Sequence, residues 1–153
     1  MGKRVVFLFI LVTLVIVSSA NVDNSNGELD SLNSQLKIKT EFLDLAQVNY
    51  DIAVYYYDIN SDSSLYYCNS YLENSIKAKN TIWIADAYSF LAYIYDQKGM
   101  IGFSLENYQK ALALFTSVND SFQIASCYIN IGYTMSYGAS QSLSLEYMLK
   151  GLH

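Results

Sequence analysis

Few residues in this sequence have the type and spacing to do chemistry, and the most suggestive set is acidic. Asp58, Asn60 and Asp62 place oxygen ligands at positions one, three and five of a calcium-binding loop. Such a loop also needs glycine at position six and a bidentate glutamate at position twelve. This chain has Ser63 and Asn69 there. Because Asn60 and Asp62 are also good helix-capping residues, we interpret them as turn and cap residues and predict no metal site.

Catalysis is also unsupported by the residues available. The one histidine, His153, is the final residue of the sequence, where chains are commonly mobile. Without a histidine in the interior, neither a Ser-His-Asp nor a Cys-His set can be assembled. The chain has no glycine-rich phosphate-binding loop. We therefore expect a protein that is not an enzyme and has no cofactor.

The two cysteines, Cys68 and Cys127, fall on different predicted helices. Nothing in their spacing brings them together. We predict two small buried side chains rather than a disulfide.

The N-terminus has the pattern of a targeting segment. Lys3 and Arg4 precede an apolar run over residues 5–17, and small residues follow up to Ala20. The run of about thirteen residues is shorter than the roughly twenty that a membrane-spanning helix needs. We expect residues 1–20 to be a signal peptide cleaved after Ala20, with retention of residues 5–17 as a membrane tether as the alternative.

Charge then excludes one class of partner. Two of the nine basic residues and none of the fourteen acidic ones lie within residues 1–20, so the remainder has a net charge of −7. That remainder contains no arginine, and its lysines are scattered. Because no basic stripe exists to follow a phosphate backbone, we expect no binding of nucleic acid.

The strongest pattern is a repeat with a period of about forty residues. Residues 84–88 return as 124–128, and residues 104–106 return as 144–146. A fixed period in the range of 20–50 residues is typical of a solenoid, in which each unit packs on its neighbours. The apolar positions keep helical spacing, and the chain contains no proline to interrupt a helix. The predicted fold is therefore all-α.

The elements that would position any binding residues are helices joined by short turns. A leader with a leucine-rich capping helix occupies residues 21–41, where Leu29, Leu32 and Leu36 have helical spacing. Gly99 and Gly138 are predicted to end helices. The other predicted helices cover about 39–58, 63–79, 82–98, 101–118, the segment after the turn at 119–121 up to about 137, and 140–152.

The repeat resembles the tetratricopeptide (TPR) family in a long form of about forty residues. The residues that carry the resemblance alternate large and small types in each helix pair: Tyr88, Leu91, Ala92 and Tyr95, then Ser104, Tyr108 and Ala111; and Tyr128, Ile131, Gly132 and Met135, then Ser144, Met148 and Gly151. The resemblance implies a TPR-like α-solenoid of antiparallel helix pairs over residues 42–153. Its repeats would cover about 42–80, 82–120 and 121–153, the last one truncated.

The first of these repeats departs most from the family pattern. Asn49 stands where a bulky residue is expected, and Tyr71 stands where a small one is expected. The proline that usually closes a TPR unit is absent from all three repeats.

The resemblance also implies a binding surface, because the first helix of each TPR pair lines the concave groove. The groove residues it implies are Gln47, Tyr50, Val54 and Tyr57 in the first repeat, Asp86, Ser89, Tyr93, Asp96 and Gln97 in the second, and Ser126, Ile129, Tyr133 and Ser136 in the third. Tyrosines such as Tyr93 and Tyr133 offer a large contact area with little entropy to lose. The alternative is that they are packing residues that tolerate solvent. The groove has no lysine or arginine clamp for a peptide carboxylate.

A narrower resemblance combines the targeting segment, the leucine-rich helix, the tyrosine-rich run over residues 56–67 and the long repeats. Together these are similar to the N-terminal extracytoplasmic sensor region of bacterial TPR-containing histidine kinases and helix-turn-helix regulators. The resemblance implies a secreted or periplasmic location, or the extracytoplasmic face of the membrane. Since the sequence ends inside the second helix of the third repeat, we expect a fragment, with a missing C-terminal segment as a second possible tether.

The functional expectation is a non-catalytic module that binds a protein or peptide. The alternative is the N-terminal sensor fragment of a membrane-bound two-component histidine kinase or a transcriptional regulator. A third possibility is a structural oligomer built through the C-terminal face.

Overall fold

The computed structural model describes residues 27–137 and 141–152. The predicted signal peptide, Gly138 and His153 lie outside the described residues. The chain divides into two compact units, one ending at Ile38 and the other covering Lys39–His153. In the first unit, residues 27–38 form helix α1, as the leucine spacing predicts.

The second unit consists of consecutive helices. They are α2 (Phe42–Tyr57), α3 (Ser61–Lys77), α4 (Thr81–Gln97), α5 (Ile101–Ser117), α6 (Ser121–Ser136) and α7 (Gln141–Lys150). Residues 27–137 and 141–152 contain no β-strand. The predicted all-α fold is confirmed, and the predicted helix ends differ from the observed ones by at most three residues.

Side-chain caps explain where three of these helices begin. The Asn60 side chain accepts hydrogen bonds from the backbone N–H groups of Asp62 and Ser63, at 3.1 and 3.0 Å. Asn80 and Asp120 cap α4 and α6 in the same way, each at 3.1 Å. Because each cap satisfies an N–H that the helix cannot, it fixes the first residue of the helix. The predicted capping role of Asn60 is confirmed.

Left-handed residues explain where three helices end. Lys79, Gly99 and Asn119 have φ values of 56°, 69° and 57°. In each turn the following N–H returns to a carbonyl five residues earlier, as Met100 N does to Tyr95 O at 2.9 Å. This is the Schellman arrangement, which satisfies carbonyls that the helix end leaves free. The prediction that Gly99 ends a helix is confirmed.

Each helix of the second unit packs mainly against the helices immediately before and after it in the chain. Turns of three residues join α2 to α3, α3 to α4, α4 to α5 and α5 to α6. Connections this short require neighbouring helices to run antiparallel. The result is a solenoid-like series of helix pairs in which contacts are local along the chain.

Small residues allow the paired helices to approach closely. The buried Ser64 hydroxyl donates to the backbone carbonyl of Ala53 at 2.8 Å. Eighty residues further along the chain, Ser144 of α7 makes the equivalent bond to α6. There it donates to the Gly132 carbonyl at 2.7 Å. A bond from one helix to the backbone of another requires a short interhelical distance, which larger side chains would prevent.

One detail of the packing differs from the sequence expectation. Helical spacing places Leu65, Leu72 and Ile76 with Cys68 on the inner face of α3. The structure instead buries Ser64, Cys68, Tyr71 and Ser75 most completely, and leaves Ile76 50% exposed. The reason is that serine hydroxyls can be buried at a tight interface when they donate to nearby carbonyls, as Ser64 does.

Both cysteines are buried and free, as predicted. Burial raises the pKa of the Cys68 thiol above its ordinary range. Burial also raises the pKa of the Cys127 thiol to about 11, against the opposing effect of a hydrogen bond with Ser89. Both side chains are therefore neutral at physiological pH and belong to the core.

Within residues 27–137 and 141–152, no helix has both the length and the apolar character to cross a membrane.

Candidate functional site

A hollow of about 530 Å³ opens on the second unit, and α4 forms its centre. Its lining comes from five helices and consists of Gln47 and Tyr50 of α2, Tyr71 of α3, Trp83, Asp86, Ser89, Phe90 and Tyr93 of α4, Tyr108 of α5, and Gln123 and Asn130 of α6. Three of these helices, α2, α4 and α6, are the first helices of the three predicted repeats. We call this surface the α4 hollow.

The spacing of residues along α4 explains why one helix supplies so much of the lining. Trp83, Asp86, Phe90 and Tyr93 follow one another at intervals of three or four residues, and Ser89 lies three residues after Asp86, so these side chains share one face. Leu91 and Ile94 of α4 are buried against neighbouring helices.

Aromatic rings form a connected wall on one side of the α4 hollow. The Tyr50 ring packs edge-on against Tyr71, with ring centres 5.3 Å apart. Tyr71 in turn lies 6.1 Å from Trp83, and Tyr50 lies 5.8 Å from Phe90. Because these rings are held by one another, the wall is preorganised and would lose little entropy on binding.

A tyrosine pair continues this wall. Tyr57 and Tyr93 stack with their ring centres 5.1 Å apart. Burial raises the pKa of the Tyr57 hydroxyl above its ordinary value, and the neighbouring Tyr93 raises it further. Tyr93 keeps 44% of its surface exposed. One face of that ring is therefore held while the remainder is open to a ligand.

Asp86 is the charged side chain of the α4 hollow. Burial raises the pKa of its carboxyl above the ordinary value, and the nearby Asp120 raises it further. Among the described residues, no lysine forms an ion pair with Asp86. The Asp86 charge also raises the pKa values of Tyr71 and Cys127, although burial is the larger cause for both. Asp86 thus lies close to side chains of both α3 and α6.

Several lysines of the described residues form ion pairs away from the α4 hollow. Lys77, Lys110 and Lys150 each pair with a glutamate one helical turn away, at 2.7–2.8 Å, on α3, α5 and α7. Lys98 pairs with Asp62 at 2.6 Å and joins the end of α4 to the start of α3. Among the residues that the structure describes, no lysine lines the α4 hollow, and Asp86 gives it a negative charge.

Two predicted groove residues, Asp96 and Gln97, line a different hollow. It has a volume of about 450 Å³, and its lining also includes Gly99, Ile101 and Tyr137. The Oδ1 atom of Asp96 is buried and has no hydrogen-bond partner within the described residues. The end of α4 therefore forms a separate polar recess.

The structure brings only some of the predicted groove residues together in the α4 hollow. Gln47, Tyr50, Asp86, Ser89 and Tyr93 come together in the α4 hollow. Six other predicted residues do not contribute to it; they are Val54, Tyr57, Ser126, Ile129, Tyr133 and Ser136.

Among these six, the large residues have two kinds of environment. Val54, Ile129 and Tyr133 are exposed on α2 and α6. Tyr133 accepts a hydrogen bond from the hydroxyl of Tyr137, and the two rings pack edge-on. Tyr57 supports the hollow indirectly, through its stack on Tyr93.

Sequence reasoning missed several residues of the lining. Tyr71 and Tyr108 lie on α3 and α5, the second helices of their pairs, which the family pattern does not place in the groove. The others are Trp83, Phe90, Gln123 and Asn130. One signal was present in the sequence, since Tyr71 is a large residue at a position where a small one is expected.

This chain matches no protein-family model, no curated protein and no solved structure. Its function must therefore be inferred from the geometry and chemistry of the site.

Proposed function

We propose that this protein is a TPR-like, non-catalytic module that binds a protein or peptide partner in the groove formed by α2, α4 and α6. The observation that carries the proposal is the aromatic α4 hollow of about 530 Å³, which spans all three helices. The composition of residues 1–20 supports a protein that acts after export.

The aromatic lining favours protein or peptide as the ligand. Tyrosine and tryptophan are enriched at the positions that contribute most binding energy in protein interfaces. Trp83, Tyr50 and Tyr93 present such rings at one surface. Exposed apolar side chains at Val54 and Ile129 extend the contact area along α2 and α6.

The polar lining favours an extended segment. The amide side chains of Gln47, Gln123 and Asn130 each carry donors and an acceptor. Such groups can satisfy the N–H and C=O groups of a bound backbone whatever its sequence. Among the described residues no lysine lines the α4 hollow, so capture of a terminal carboxylate is not the mode of binding that we propose.

The test is selection of random twelve-residue peptides on the full-length protein, followed by affinity measurement on the double variant Tyr93→Ala, Tyr133→Ala. Loss of two interface tyrosines is expected to weaken the selected peptides about tenfold or more, since each contributes on the order of 1 kcal/mol. Circular dichroism checks that helicity is kept.

The matched control is Tyr66→Ala. Tyr66 is an exposed tyrosine on α3, outside the groove formed by α2, α4 and α6, so its removal should leave affinity unchanged. Equal affinity of the double variant and the unmodified protein would contradict the groove assignment.

A further inference from the structure

We propose that the α4 hollow receives a basic side chain of the bound peptide, with arginine preferred, and that Asp86 pairs with its charge. This inference rests on the proposed function, because the cation is a side chain of the partner peptide. It assigns a specific chemistry to the hollow.

The first support is an uncompensated negative charge. Asp86 is partly withdrawn from water, and Asp120 adds a second negative charge nearby. Within the described residues neither carboxylate has a lysine partner. A desolvated carboxylate without a cation is unfavourable, so a ligand that supplies the cation gains affinity there.

The second support, which does not depend on the charge of Asp86, is the aromatic lining of the α4 hollow. Trp83 and Tyr71 flank the Asp86 position from α4 and α3, and Tyr50 continues the same aromatic surface. The faces of tryptophan and tyrosine attract cations within about 6 Å of the ring centre. An arginine guanidinium fits this setting well because it is planar, stacks on rings and pairs with a carboxylate in bidentate fashion.

The protein itself builds the same arrangement with its own lysines. Lys110 pairs with Glu106 at 2.7 Å while its Nζ lies 5.5 Å from the centre of the Tyr88 ring. Lys150 pairs with Glu146 at 2.8 Å and lies 5.0 Å from the Tyr147 ring.

A third case is on α3. Lys77 pairs with Glu73 at 2.7 Å and lies 5.9 Å from the Phe42 ring. Each of these three cations thus has a carboxylate on one side and an aromatic ring on the other. The α4 hollow offers both a carboxylate and aromatic rings, and in this proposal the ligand supplies the cation.

Size agrees with this assignment. Ligand pockets have volumes of roughly 300–1,000 Å³, and the α4 hollow has about 530 Å³. That is room for a guanidinium with its aliphatic stem, which would pack along Phe90 and Tyr93. The amides of Gln123 and Asn130 remain available to the peptide backbone beside it.

The experiment uses the peptides selected on the full-length protein. We expect arginine and lysine to be enriched among them. We then expect one arginine-containing peptide to bind Asp86→Asn at least about tenfold more weakly than the unmodified protein. The control Glu106→Gln removes an equal charge from the outer face of α5 and should leave affinity unchanged.

A second measurement needs no protein variant. Replacing the arginine of the selected peptide by citrulline, its neutral isostere, should weaken binding to the unmodified protein to a similar degree. Against Asp86→Asn the same replacement should have little further effect, as expected for two groups that act as a pair.

The outcomes separate the two proposals. Selected peptides without enrichment in basic residues, or equal binding to Asp86→Asn, would overturn the inference and leave the proposed function standing. Failure to select any peptide on the unmodified protein would overturn the proposed function itself.

Discussion

Asp86 is the residue at which the proposed binding and the stability of the free protein oppose each other. It lies among aromatic side chains, and burial raises the pKa of its carboxyl. A charged group in that position lowers the stability of the free protein, because the unfolded chain solvates it better. Such a group is retained at binding sites when a ligand stabilises the charged form.

The pH dependence of stability tests this description of Asp86. Because the carboxyl pKa is higher in the folded state, the folded state binds more protons and stability falls as pH rises through the two pKa values. The Asp86→Asn variant has no carboxylate to ionise at this position and so does not lose stability in this way. We therefore expect the melting temperature of the variant to exceed that of the unmodified protein by a few degrees at pH 7. The gain should vanish near pH 3, below the unfolded-state pKa of about 3.9.

Thermal unfolding followed by circular dichroism at both pH values measures the difference. Glu106→Gln is the control, since that carboxylate is exposed and paired with Lys110, and it should show no gain at pH 7. A gain for Asp86→Asn that is the same at pH 3 and pH 7 would exclude desolvation of the charge as its cause.

At the scale of the elements, three of the turns between helices share one backbone form with different residues. Lys79, Gly99 and Asn119 all occupy the left-handed region at the end of a helix. Glycine adopts this conformation without a penalty, whereas a side chain such as lysine costs roughly 1–2 kcal/mol there. The turn before α4 therefore carries strain that the turn before α5 does not.

Substitutions in these turns should change stability in opposite directions. Lys79→Gly relieves strain and is expected to raise the free energy of unfolding by up to about 1 kcal/mol. Gly99→Ala introduces strain and is expected to lower it by about 1 kcal/mol. Urea denaturation measures both.

Gly102→Ala is a matched control three residues from Gly99. A Cβ at either glycine would meet no atom within 4 Å. Only Gly99 has a positive φ, so Gly102→Ala within α5 should stabilise by up to about 0.5–1 kcal/mol. If Gly99→Ala and Gly102→Ala changed the free energy of unfolding in the same direction, backbone φ would not be what decides the effect of alanine at these positions.

At the scale of the whole second unit, stability depends on neighbours. Each helix packs mainly on the one before and the one after it. A series built in this way transmits a local defect only weakly to distant pairs, because few contacts link them directly. Separate parts of the groove can then differ in stability while the fold is kept.

Gly132→Ala tests this locality. A Cβ at Gly132 would lie 2.7 Å from Met148 Cγ and 2.8 Å from the backbone oxygen of Ser144. The resulting overpacking between α6 and α7 is expected to cost about 1–3 kcal/mol. Hydrogen exchange should show lost protection in α6 and α7 and unchanged protection in α2 and α3.

An equal loss of protection in all helices would mean that the unit unfolds as one cooperative body. Gly102→Ala again serves as the control, since it adds a methyl group in open space and should leave protection in α6 and α7 unchanged.

The sequence by itself determined the features that arise from local physics. Helical spacing of apolar residues, the absence of proline and the forty-residue period were sufficient to predict the all-α series of helices. Capping by Asn60 and the left-handed Gly99 followed from interactions within a few residues of each position. Such interactions are present in the sequence pattern, because both partners are close along the chain.

Only the tertiary structure decided which side chains form the hollow. Tyr50, Tyr71 and Phe90 are about twenty residues apart along the chain, yet their rings meet in one wall. Whether Asp86 has a lysine partner likewise depends on the rotation and spacing of α3, α4 and α6. The rotation and spacing of the helices are set by how they pack. A helix shift of a few ångströms, or a helix rotation by one residue, changes which side chains face each other.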